Sequence, residues 1–184
     1  MTKNFLSAAL LLLCALPAAA QESVSMVYDA KTTDNPPAPV PGACALTVTG
    51  VEDQRNNKET VGSELRPLMS KDPVPWVGAA LGGLTAWGYT VTRADKSAPG
   101  AAAISATLTR AYTFHGPMRL NGVVAMDARI TTPSGKQIDK KYRAFGSKTN
   151  MWGAVSEYMD TLNYAMNAVL AQMAADLKDV CAGR

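Results

Sequence analysis

The fold is decided by residues Met151–Val180, which read MWGAVSEYMDTLNYAMNAVLAQMAADLKDV. Apolar side chains recur there at steps of four and three, which places them on one stripe of an α-helix; the stripe consists of Val155, Met159, Leu162, Met166, Val169, Met173, Leu177 and Val180. Asn150 is a suitable N-cap, and Gly183 can end the helix in a left-handed conformation. At about 1.5 Å per residue the helix would be roughly 45 Å long, so it must pack along a sheet or another helix. Its methionines then fill the core, although a flexible binding groove is the alternative.

The residues before this helix predict the sheet that it covers. Alternating apolar and polar residues indicate five core strands, at Ala45–Glu52, Tyr89–Thr92, Ile104–Tyr112, Val123–Thr131 and Gln137–Phe145. Asp72 and Pro73 favour the start of a first helix, which Gly88 ends. We therefore expect one α+β domain with a mixed, mostly antiparallel sheet of four to five strands. Both helices lie on one face, and the other face is wet. A right-handed crossover makes the first two core strands parallel, and hairpins make the rest antiparallel.

The first 43 residues indicate export and then an extended connection. Residues 1–20 have a positive start at Lys3, an apolar core and a small-residue cleavage site, which predicts a secretory signal peptide. Residues 21–43 form a Pro-rich extended segment, and residues 44–184 form the domain. The protein is expected to be periplasmic or secreted. Lipidation of Cys14, giving an outer-membrane-anchored lipoprotein, is the alternative, and Leu13 before that cysteine fits it poorly.

Two cysteines remain after such cleavage, Cys44 and Cys181. An oxidising compartment favours one disulfide between them, and two unpaired buried thiols are the alternative. The predicted strand order, however, puts these residues at opposite ends of the sheet. Either the long helix turns across the strands, or one connection is not a hairpin, or the disulfide is wrong.

Composition and motifs exclude several function classes. The formal net charge is +3 with scattered basic residues, which argues against nucleic-acid binding. The only histidine, His115, lies beside Gly116 and Pro117 at a strand end, and no nucleophile motif accompanies it. No His or Cys pair has metal-ligand spacing. We therefore expect no enzyme activity, no cofactor and no metal.

The most distinctive polar residues are Asp53, Arg55 and Lys58, which follow the first core strand. At that position a carboxylate and a guanidinium could bind a polar ligand or partner, or pair with each other. The alternative is that Asp53 caps the loop while Arg55 and Lys58 are solvated.

The segment LTVTGVEDQR at residues 46–55, followed by Lys58, Thr60, Val61 and Gly62, resembles the opening motif of the YajG-like family of bacterial envelope lipoproteins. The fold is also similar to that of LptE and transporter-auxiliary lipoproteins. The resemblance implies an accessory or scaffold role with an envelope protein partner and no catalysis. A periplasmic module that binds a small ligand, lipid or peptidoglycan fragment is the alternative, and membrane association would be peripheral or absent.

Overall fold

The structure is a computed structural model that describes residues 22–34, 36–63, 66–149 and 154–183. The predicted signal peptide, Cys14 and the proposed N-cap Asn150 lie outside the described residues.

Seven strands and two α-helices make up the described chain. In order they are β1 (Ser23–Val24), β2 (Ala45–Asp53), β3 (Met69–Ser70), α1 (Val74–Gly82), a 3₁₀ turn (Gly83–Trp87), β4 (Thr90–Arg93), β5 (Ala102–Gly116), β6 (Arg119–Thr131), β7 (Gln137–Thr149) and α2 (Val155–Cys181). Five strands form one sheet in the order β4-β2-β5-β6-β7, while β1 and β3 form a small parallel pair. The predicted α+β class, with two helices packed against a mixed sheet, is confirmed.

The sheet topology explains how the two cysteines meet. β4 and β5 both pair with β2, on opposite edges and parallel to it, so the connection at residues 94–101 is not the predicted hairpin. It crosses β2, where the backbone N–H of Ala98 donates to the Thr47 hydroxyl. The hairpins β5–β6 and β6–β7 then bring α2 back toward the start of β2. Cys44 and Cys181 form a disulfide with their Cα atoms 5.6 Å apart.

The covered face of the sheet is sealed by α2. The predicted apolar stripe is buried from Met159 to Val180, and its methionines fill the core. Two glycines set the distance of approach, because a Cβ at Gly122 would lie 2.7 Å from the carbonyl oxygen of Thr161, and one at Gly146 only 2.2 Å from the same atom. The helix backbone thus crosses β6 and β7 where no side chain intervenes.

The outer side of α2 is also packed, by the N-terminal segment. Asn167 donates to the carbonyl oxygen of Thr32 at 2.6 Å and accepts from the Tyr28 hydroxyl at 2.6 Å. Asn163 donates to the carbonyl oxygen of Val27 and accepts from the indole N–H of Trp76. Burial first, and then the Asp29 carboxylate, raises the pKa of Tyr28 to about 12. Residues 27–32 therefore lie across α2 as a strap.

The ends of α2 differ in how well they were predicted. Ala154, in an extended conformation, precedes the first helical residue, so the helix begins at Val155 rather than Met151. The Glu157 carboxylate accepts from the backbone N–H of Ala154 at 2.9 Å, as in half of a capping box. At the other end, Gly183 has φ +72°, which confirms the left-handed termination.

Candidate functional site

The candidate site lies on the open face of the sheet, opposite α2. Register assigns the residues to faces, because partners directly opposite each other point to the same side. Ala111, Val124 and Ala144 form one buried row under α2, so the next row, Tyr112, Val123 and Phe145, faces outward. A bulge between Leu108 and Arg110 shifts the register of β5 and separates the open face into two halves.

The first half of the open face, before the bulge, is polar and ion-paired. Arg129 Nε lies 3.0 Å from Asp139 Oδ1, and Lys141 Nζ lies 4.0 Å from Asp127 Oδ2. These are the cross-strand pairs that the alternation of β6 and β7 predicts. A cleft of about 480 Å³ lies over them and is lined by side chains of both charge signs. This half is an ordinary solvated sheet surface.

The second half, after the bulge, exposes large aromatic side chains. We call it the aromatic–arginine patch and define it as Arg110, Tyr112, Phe114, Arg143 and Phe145. Phe145 is 59% exposed and Phe114 41%, whereas Val123, between Tyr112 and Phe145 in the register, is fully buried. Next to the patch, Met118 at the β5–β6 turn is 83% exposed. Exposed apolar surface of this kind commonly marks an interaction site.

The electrostatics of the patch are one-sided. The guanidinium of Arg143 lies 5.1 Å from the ring centre of Phe145, within the range of a cation–π contact. The rings of Tyr112 and Phe114 are 6.4 Å apart and tilted. Arg110 and Arg119 are exposed, and the open-face strand residues of this half include no Asp or Glu. The patch therefore combines apolar rings with a positive charge.

A cleft of about 380 Å³ adjoins the patch at the edge of β5. Asn57, Thr60, Arg110 and Tyr112 are among its lining residues, together with Arg55. Arg110 supplies an exposed cation in this cleft, and Tyr112 belongs to both the cleft and the patch. A small polar or anionic ligand could be held there.

Asp53 and Arg55 form a structural pair. Arg55 is 3% exposed, so the expectation that it is solvated is wrong. Its Nε lies 2.9 Å from Asp53 Oδ1 and its Nη2 3.0 Å from Oδ2, and Nη2 also donates to the carbonyl oxygen of Lys58. Asp53 accepts from the backbone N–H of Arg55, which confirms that it caps the loop.

The charge state of Asp53 follows from this pairing. Burial by itself would raise the pKa of the Asp53 carboxyl, but the hydrogen bonds and charge of Arg55, with a smaller effect of Lys58, hold it below its ordinary value of 3.8. The side chain of Lys58 is exposed. The pair thus fixes the loop after β2, and a ligand role for Asp53, Arg55 and Lys58 stays a prediction.

Other candidate chemistry is spread out. His115 is in β5 rather than in a loop, and its Nε2 lies 3.0 Å from the Tyr158 hydroxyl. Within the ranges that the structure describes, no three His, Cys, Asp or Glu side chains are close enough together to hold a metal ion. Nor does any helix in those ranges have the length and apolarity to span a membrane.

Comparison with known proteins establishes the fold alone. No protein-family model matches the chain, and no curated protein matches its sequence. Protein XCC0632 of Xanthomonas campestris, from the family DUF330, is similar in structure with a TM-score of 0.59 at 9% identity, over 88% of this chain and 98% of that one. The lipoprotein GNA1162 of Neisseria meningitidis has a TM-score of 0.35 at 13% identity, over 77% of this chain and 99% of that one. The minor lipoprotein of Acinetobacter baumannii has a TM-score of 0.36 at 15% identity, over 74% of this chain and 92% of that one. The resemblance to the YajG-like family stays a prediction.

The patch was not among the residues that the sequence pattern indicated. The pattern pointed to the loop after β2, whereas the exposed aromatic residues lie in the C-terminal halves of β5 and β7. The available signal was an interrupted alternation: Tyr112, Phe114 and Phe145 are aromatic, whereas the earlier outward residues of the same two strands are polar, namely Ser105, Thr107, Asp139 and Lys141. Without the bulge at Arg110, however, the outward register of Tyr112 could not be assigned.

Proposed function

We propose that this chain is an exported, non-catalytic accessory or scaffold protein of the bacterial cell envelope, and that it binds a protein partner through the aromatic–arginine patch. The contrast between the two halves of one open face carries the proposal. One half neutralises its charges within the molecule, and the other leaves aromatic rings and arginines in solvent.

Export is supported by two independent features. The sequence of residues 1–20 has the three parts of a secretory signal. The disulfide between Cys44 and Cys181 joins residues 137 positions apart, as suits an oxidising compartment such as the periplasm. A lipid anchor at Cys14 is the alternative means of retention in the envelope.

A protein partner is supported by the composition of the patch. Protein–protein interfaces are enriched in Tyr, Phe, Met and Arg and depleted of Lys, Asp and Glu. Each of the enriched types is present here, in Arg110, Tyr112, Phe145 and the adjacent Met118, and the depleted types are absent from the open-face strand residues of this half. The matching partner surface is apolar at its centre and acidic around it.

Site-specific photo-crosslinking in intact envelopes tests this proposal. A benzoylphenylalanine at position 145 should give a protein adduct, whereas the same residue at the exposed Ser105, in the ion-paired half, should give none. The adduct at position 145 should disappear when Tyr112→Ser is introduced, because the two side chains share a row of the open face. Equal adducts from both halves, or an adduct at position 145 that persists in Tyr112→Ser, would contradict the proposal.

A second candidate function is a periplasmic module that binds a small anionic ligand, such as a peptidoglycan fragment. The cleft of about 380 Å³ favours it, because Arg110 and Tyr112 line that cleft. Muropeptides added in excess should then raise the melting temperature of the protein, and Arg110→Gln should remove the shift. No shift with wild-type protein would eliminate this candidate.

A further inference from the structure

Strand β7 is a long edge of the main sheet. Among the described strands it pairs with β6 alone, over 13 residues, whereas the opposite edge, β4, has only four. An edge of this length presents unpaired backbone groups to any extended chain of suitable sequence.

The direction of those backbone groups follows from the hairpin. Thr132 and Lys136 are bonded across the β6–β7 turn, with the N–H of Thr132 donating to the carbonyl oxygen of Lys136 at 2.8 Å. In an antiparallel pair the bonded positions alternate, so the backbone groups of even-numbered β7 residues bond to β6. The backbone N–H and C=O groups of odd-numbered residues point the other way, toward the free edge of the sheet. The hydrogen bond at Arg143 is consistent with this assignment, because its carbonyl oxygen points away from β6 and accepts from the Gln172 side chain of α2 at 3.1 Å. Phe145 and Ser147 therefore direct their N–H and C=O groups away from the sheet.

A groove runs beside this edge. It has a volume of about 490 Å³ and is bounded by Phe145–Ser147 of β7, by Tyr164 and Ala168 of α2, and by Pro36 and Pro37 of the N-terminal segment. An extended chain placed there would alternate its side chains between α2 and the open face. The side toward α2 presents Tyr164, Ala168 and Ala171, and the N-terminal segment adds the polar Thr33 and Asp34. The side toward the open face meets Arg143 and Phe145.

The charge of β7 selects among the possible occupants. Three of its four cationic side chains are ion-paired within the molecule, because Lys140, Lys141 and Lys148 pair with Asp176, Asp127 and Asp160, so Arg143 is the strand's cation without an ion pair among the described residues. A second copy paired through the same edge would bring its own Arg143 to this edge, and like-charge repulsion disfavours that pairing. An acidic strand from a different protein complements the edge.

We propose that the partner docks by adding one extended strand to the free edge of β7, with acidic side chains toward Arg143 and apolar side chains toward Tyr164 and Ala168. This inference rests on the proposed function and specifies how the partner binds. Backbone hydrogen bonds supply affinity in this mode, and the alternating side chains supply specificity. The outward amides of Phe145 and Ser147 join the patch and the groove into one continuous site.

Phage-displayed ten-residue peptides test whether the added strand must be acidic. Two libraries alternate apolar residues with either acidic or basic residues, and the full-length mature protein is the bait. The acidic library should be enriched, and the selected peptide should bind in solution. Enrichment of neither library, or of the basic one, would overturn the proposal.

N-methylation of the selected peptide tests the backbone mode. Methyl groups on the amides of one peptide edge should weaken binding at least tenfold, because that edge faces β7, while methyl groups on the other edge should be tolerated. Tolerance of both modified peptides would overturn strand addition. If binding nevertheless fell in Phe145→Ser, patch-mediated docking would survive, so the two proposals can fail separately.

A variant of the edge gives the matching test on the protein. Ser147→Pro removes an outward N–H without breaking the ladder to β6, as proline is tolerated on the free side of an edge strand. It should weaken binding about tenfold, whereas Ser147→Ala should bind like wild type. Should Ser147→Pro fail to fold, peptide-induced protection of the amides of Arg143, Phe145 and Ser147 from hydrogen exchange replaces it. Unchanged exchange there, or a peptide-independent dimer in sedimentation, would overturn the proposal.

Discussion

Phe145 and Gly146 are neighbours in β7 and differ in every respect that matters for packing. Gly146 lies under α2, where even a methyl group would meet the helix backbone, while the ring of Phe145 is 59% exposed on the open face. Large apolar side chains such as Phe are among those most often buried, so an exposed Phe beside a buried Gly is an inversion of size. The inversion fits a covered face that allows close helix approach and the open face that we propose for a partner. Substitutions on the two faces should therefore have separable effects on stability and on binding.

The largest effect is expected from the disulfide that holds the end of α2 over the covered face. Replacing both cysteines, Cys44→Ser and Cys181→Ser, should lower the free energy of unfolding by about 4 kcal/mol, because the closed loop is long. Urea unfolding of the double variant and of wild-type protein measures this difference. Binding of the partner strand at low temperature should be unchanged, since β7 lies at the opposite edge of the sheet from β4 and β2. A binding loss as large as the stability loss would show that the faces are not independent.

The next effect concerns Gly146 itself. Gly146→Ala should destabilise the protein by about 2–3 kcal/mol. The added Cβ would clash with the carbonyl oxygen of Thr161 and the backbone N of Ala165, and these backbone atoms cannot move aside without breaking hydrogen bonds within α2. Phe145→Ser is the matched control: it should change the melting temperature little and instead abolish crosslinking or peptide binding. Equal melting temperatures for Gly146→Ala and wild type would mean that α2 does not pack closely against the glycines of β6 and β7, and the size inversion would lose its meaning.

How much of the fold and of the candidate site could be predicted from the sequence depends on whether local or long-range interactions determine each element. The stripe of α2 and the alternation of β6 are local patterns, and the stripe is buried as predicted from Met159 to Val180, with Val155 half-buried. The position of β5 is not local: it lies next to β2 rather than β4, and only the sheet as a whole decides that. The same holds for Asn163 and Asn167, which are off the apolar stripe but are buried by the strap. Their burial depends on a segment more than a hundred residues away.

A smaller effect is expected at the Asp53–Arg55 pair, which belongs to neither face. Arg55→Met should cost about 1–3 kcal/mol, because it removes the guanidinium that donates to the partly buried Asp53 carboxylate and to the Lys58 carbonyl, and leaves Asp53 only its backbone donor. Partner binding through the patch should be retained at temperatures where the variant is folded. Loss of binding with stability unchanged would instead make Arg55 part of the interface.

The pH dependence of stability checks the same pair. The pKa of Asp53 is lower in the folded protein than its ordinary value of 3.8, so its contribution is complete above that value and is lost as the pH falls through the folded pKa. Between pH 6 and pH 3, the stability of Arg55→Met should therefore fall less than that of wild-type protein. Parallel curves for the two proteins would contradict the assignment. The sequence predicted that these residues pair with each other or bind a ligand. The pairing depends on burial, which is a property of the folded loop, and the ligand role stays a prediction.

The smallest effect is expected in the ion-paired half of the open face. Arg129 and Asp139 are largely exposed, so Asp139→Asn should change the free energy of unfolding by less than about 0.5 kcal/mol. The variant also sets Arg129 free on a surface without aromatic rings. If unpaired arginines alone attract the partner, Asp139→Asn should create a second crosslinking position at Ser105. We expect no adduct there, because a guanidinium contributes to binding mainly when neighbouring aromatic rings exclude water from the contact. The rings of Tyr112 and Phe145 do this in the patch, and the ion-paired half has no such rings. An adduct at Ser105 would show that charge, and not the aromatic surface, distinguishes the two halves.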